Sequence, residues 1–98
     1  MTTQVIVTAP TGPIALRSLL EAAMSVQLRV IKTGLRRTER RLQNFESQYN
    51  MSSEEFYQRL TQDRIEETLD TMEWAGEYQT LLRLRQQHEM LKEARIAD

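Results

Sequence analysis

The sequence predicts an all-α fold: a long antiparallel helical hairpin with a short connecting helix and a flexible or strand-forming N-terminal arm. Three observations carry this. From Ile14 to Tyr49 there is no proline and one glycine, Gly34, while apolar residues recur at helical spacing. A helix-start signal follows directly, at Ser52. A second leucine-rich run of the same period then extends to Arg95.

Residues 1–12, MTTQVIVTAPTG, form the arm, and residues 13–98 form the hairpin domain. The arm is rich in Thr and β-branched residues, so a strand is expected at Gln4–Thr8. A lone strand is unstable, and it would have to pair with another edge, that of a partner included.

The first helix should open near Thr11–Ile14, with Thr11 as the N-cap and Pro13 in the first turn. Leu28, Ile31, Leu35, Thr38, Leu42, Phe45 and Tyr49 follow a 3-4 rhythm, a heptad seam with one polar position. About 36 helical residues span roughly 54 Å. A compact domain of this size has a radius of gyration near 13 Å. A rod of that length must fold into a hairpin or pair with another copy, so a homo-oligomer is expected. Gly34 costs about 1 kcal/mol relative to Ala, too little to break the helix, and permits close helix approach.

Asn50 is a plausible stop for this helix. Ser52 as N-cap and Glu55 three residues later make a capping box, with Met51 and Phe56 at the staple positions. A short helix over Ser53–Thr61 follows. The stretch TQDRIEE from Thr61 to Glu67 carries no strong breaker and reads as a kink or as continuous helix. The last helix is expected over Thr68–Arg95, with Leu81, Leu84, His88 and Leu91 keeping the seam rhythm.

Composition narrows the function classes. The 98 residues include 40% hydrophobic residues and no cysteine, which excludes disulfides and thiolate metal sites. No window approaches the roughly 18 apolar residues of a membrane span, and no leader is visible, so a cytoplasmic protein without membrane contact is expected. Residues 1–50 hold seven Lys/Arg against three acids, and residues 51–98 hold six against eleven. A basic and an acidic half suggest that the halves pack on each other or face different partners.

Catalytic chemistry is not indicated. His88 is the lone histidine, and Glu54-Glu55 and Glu66-Glu67 diverge by about 100° on a helix rather than forming a dyad. No phosphate-binding glycine loop is present. No metal, no cofactor and no enzymatic activity are therefore expected. Arg36, Arg37, Arg40 and Arg41 form a ladder that could track phosphates, the candidate nucleic-acid contacts. Phe56, Tyr57, Trp74, Tyr78 and Leu81 are the candidate partner-binding residues, being aromatics and a leucine among charges, with Ala75 and Gly76 leaving room for another backbone.

Met51-Ser-Ser-Glu-Glu-Phe-Tyr57 followed by Met72-Glu-Trp-Ala-Gly-Glu-Tyr78 resembles the MSSEEFY…EWAGEY pattern of small archaeal and cyanobacterial antitoxin-like proteins that pair with TumE-type toxins. The likeness covers about 45–91. The spacer departs from it: such proteins often carry glycines and acids there, whereas this chain has Gln62-Asp63-Arg64 and Glu66 with no glycine. The resemblance implies stoichiometric neutralisation of a small cytosolic, RNase-like toxin as the cognate partner. The alternatives are a coiled-coil adaptor and a DNA-binding autoregulator that uses the Arg ladder.

Overall fold

The structure, a computed structural model, describes residues 3–6 and 12–97. It contains β1 (Thr3–Ile6), α1 (Pro13–Tyr49), α2 (Ser53–Thr61), α3 (Leu69–Glu93) and β2 (Ala94–Ala97). The fold is all-α, with α1 and α3 packed as an antiparallel pair and a two-stranded sheet as an accessory.

The expected seam of α1 is the surface that α3 covers. Ile31, Thr38 and Leu42 are buried, and Leu28, Leu35 and Phe45 are half-buried. The helices run antiparallel in a fixed register: Gly34 lies against Leu84, Arg41 pairs with Glu77, and Tyr49 reaches Asp70. The seam is thus filled within one chain rather than by a second copy.

Both turns are built by left-handed residues. Asn50 takes φ 51° and its N–H returns to the Glu46 carbonyl, ending α1 as its residue type predicts. Met51 also donates to the Glu46 carbonyl and tucks its side chain against the core. Ser52 caps α2 by accepting from the Glu55 N–H at 3.1 Å. The expected capping box is only half formed, because the Glu55 carboxylate pairs with Arg59 at 2.7 Å.

The uncertain stretch 62–68 is a true break. Asp63 sits at φ 59°, and its N–H donates to the Leu60 carbonyl while that of Arg64 donates to the Arg59 carbonyl. This is the Schellman arrangement, with Asp in the place usually held by Gly. Thr68 then starts α3 through a reciprocal box with Thr71.

Two expectations need correction. Gly12 rather than Thr11 caps α1, without a side-chain bond; Thr11 lies outside the described residues, as do Val7 and Thr8. The last helix ends at Glu93, two residues before Arg95, because residues 94–97 turn extended and pair with β1 in parallel, Thr3 opposite Ala94 through Ile6 opposite Ala97. The strand at the arm therefore finds its edge in its own chain. Parallel strands require a long crossover, and here the whole hairpin supplies it.

Candidate functional site

The core sits at the turn end of the hairpin and is organised around Trp74. Its indole stacks on Phe56 with centroids 3.9 Å apart and planes 1° from parallel. Phe45 and Tyr49 stack on it at 5.6 and 5.5 Å. The indole N–H donates to Ser53 Oγ at 2.9 Å, and the Ser53 N–H donates to Glu46 at 2.8 Å. One chain of bonds, buried at Trp74 and partly buried at Glu46, thereby links α3, α2 and α1.

This placement corrects the expected partner-binding set. Phe56 and Trp74 are each 1% exposed and Leu81 is buried beside them. They are core residues, and no partner reaches them while the hairpin is folded. Tyr57 and Tyr78 are half-buried and pair with each other at 5.1 Å, with Gln79 donating to the Tyr57 hydroxyl. Tyr78 thus faces Tyr57 while packing against the edge of the core. A Cβ at Gly76 would meet nothing within 4 Å.

What the turn end presents outward is different. Leu69 is 75% and Met72 63% exposed, near the start of α3. They precede Trp74 by five and two residues, which at about 100° per residue points them roughly 140° and 160° away from the core. A helical wheel anchored on Trp74 would have singled them out. Around them stand acids: residues 51–80 carry eight Asp/Glu and two Arg, a net −6, and Glu66, Glu67 and Glu73 are exposed.

Beside this patch runs an open groove of about 790 Å³ between α1 and α3, lined by Arg41, Asn44, Phe45, Gln48, Glu73, Gly76, Glu77 and Thr80. A separate hollow of about 340 Å³ lies at the start of α2, where Ser52 and Ser53 line it with Gln43, Glu46, Tyr78 and Leu81. Arg41 is held across the open groove by Glu77 at 2.7 Å. The Tyr49 hydroxyl donates to Asp70 at 2.7 Å, and that bond, followed by lost hydration and the carboxylate charge, raises its pKa above the ordinary 10.0.

The Arg ladder divides. Arg41 is engaged with Glu77, Arg36 leans on the Thr33 hydroxyl, and Arg37 and Arg40 stand exposed with no ion pair among the described residues. His88 is half-buried, 3.9 Å from Glu89. No cluster of three metal-ligating side chains occurs among the described residues, and no helix there is long and apolar enough to cross a membrane.

No protein family, curated protein or solved structure matches this chain.

Proposed function

We propose that the chain acts by stoichiometric binding: it neutralises a small, basic toxin protein by covering that protein's nucleic-acid-binding surface with its acidic turn end. The observation that carries this is the pair Leu69 and Met72, both largely exposed, inside a segment of net charge −6. Apolar anchors inside a charged rim give binding energy at the centre and steering at the edge. The aromatic core beneath holds the patch rigid, so little ordering cost accompanies binding. The resemblance of MSSEEFY…EWAGEY to antitoxin-like proteins points the same way.

The test is to express the adjoining reading frame alone and together with this chain. Growth arrest by the neighbour alone, relieved by co-expression, is the expected result. Leu69→Asp/Met72→Asp should abolish relief while leaving helicity intact, since neither side chain is in the core. A neighbour that is harmless alone removes the basis of the proposal.

A second reading, nucleic-acid contact for autoregulation, draws on the exposed Arg37 and Arg40. It requires binding that weakens steeply with salt and disappears in Arg37→Ala/Arg40→Ala.

A further inference from the structure

We propose that Ala94–Ala97 is a helix–strand switch: β1 holds it extended, and without β1 it continues α3 by one turn. The switch lies at the open end of the hairpin, away from the acidic patch, and does not rest on the toxin reading.

The first observation is a helix that ends without a stop signal. Asn50 at φ 51° and Asp63 at φ 59° close α1 and α2 in left-handed conformations. α3 instead passes straight into β2 at Ala94, which sits at φ −71° and ψ 141° with its N–H on the Leu91 carbonyl. No glycine, proline or asparagine follows Gly76 in the sequence. Ala94, Arg95 and Ala97 are helix formers by type, and only Ile96 prefers a strand. A cation at position 95 suits the last turn of a helix, where the backbone dipole is negative.

The second observation is how little holds these residues extended. They pair with Thr3–Ile6 alone, in a sheet of two four-residue strands. Two strands by themselves are marginal, and a parallel pair is slightly weaker per residue than an antiparallel one. Val5 is 43% and Ile6 79% exposed, so the apolar side chains of β1 add little burial.

The third is that the helical alternative has a track to lie on. The register that sets Gly34 against Leu84 brings Glu93 opposite about residue 25, and α1 begins at Pro13, so about three turns of α1 extend past the end of α3. Leu20 and Met24 continue the seam there from Leu28 at four-residue spacing, and both are half-buried. Strand and helix therefore compete for the same four residues, and β1 decides between them. A partner that offers its own sheet edge to β1 would release β2 and lengthen α3 by roughly 6 Å, so capture of the arm is reported in the helix.

The experiment is NMR of the full chain carrying Gln4→Pro/Val5→Pro. Along a parallel strand every second residue turns its N–H to its neighbour, so the pair removes a ladder donor whichever residue holds it. The Cα shifts of residues 94–97 should cross from the strand side of the random-coil position to the helix side. Trp74 fluorescence should stay unchanged, since the core is at the other end. Adding Ala94→Pro should cancel the helical shift, because proline cannot continue a helix, while its φ of about −65° suits the −71° of the strand form. Residues 94–97 that become coil or stay extended in the double-proline chain overturn the proposal. So does a helical shift that survives Ala94→Pro, or a loss of the Trp74 signal, since the switch must be local.

Discussion

Replacing Trp74 by alanine removes the ring on which Phe45, Tyr49 and Phe56 all stack and leaves Ser53 Oγ without its indole donor. A truncation of this kind costs about 3–5 kcal/mol, a large share of the ~5–15 kcal/mol that holds an ordinary domain folded. Urea unfolding should show it; a loss below about 1 kcal/mol would mean that the stack is not the centre of the core. Tyr49 makes a claim about pH. Its pKa is raised in the folded state by the bond to Asp70. The stability it adds is therefore fully present below the unfolded value near 10.0 and is lost as pH rises through the higher folded value. Tyr49→Phe should flatten the alkaline limb of the stability curve. An unchanged limb would show that the hydroxyl bond contributes nothing.

Among the elements, Gly34 is where α1 offers no side chain to the facing Leu84 of α3. A Cβ there would stand 3.3 Å from the end of the Leu84 side chain, so the neighbour must yield by a few tenths of an ångström. Leu84 is half-buried and meets that Cβ with the far end of its side chain, while alanine brings up to about 1 kcal/mol of helix propensity. Gly34→Ala should lie within about ±1 kcal/mol of the parent, whereas Gly34→Leu should force the helices apart and lower the thermal midpoint clearly. The junction between α1 and α2 was legible because Asn50 and Ser52 act through local bonds that their own side chains and conformations supply. The break after Thr61 was not, since Asp63 takes a left-handed conformation that its type permits without demanding. Nor was β2: Ala94 is a good helix former, and only pairing with Thr3–Ile6, ninety residues away in the chain, makes it extended. The outward Leu69 and Met72 escaped the same way. The wheel that singles them out needs Trp74 fixed as the inward residue, and apolar residues all round a helix leave that anchor open until the register is known.

The whole molecule measures 57 × 23 × 20 Å, with a radius of gyration of 18.7 Å against about 13 Å for a compact chain of this length. Its long axis is scarcely longer than the 37 residues of α1, about 55 Å of helix, so the sheet lies alongside that helix rather than extending it. Small-angle scattering of the monomer should return the elongated value. Parallel pairing of β1 with β2 also orders events in time. These strands meet only after the hairpin has brought their ends together, so their contact closes last on folding and opens first on unfolding. In hydrogen–deuterium exchange the amides of the strand pair should lose protection well before those around Trp74, and the molecule would then unlatch at its sheet while its aromatic end stays shut.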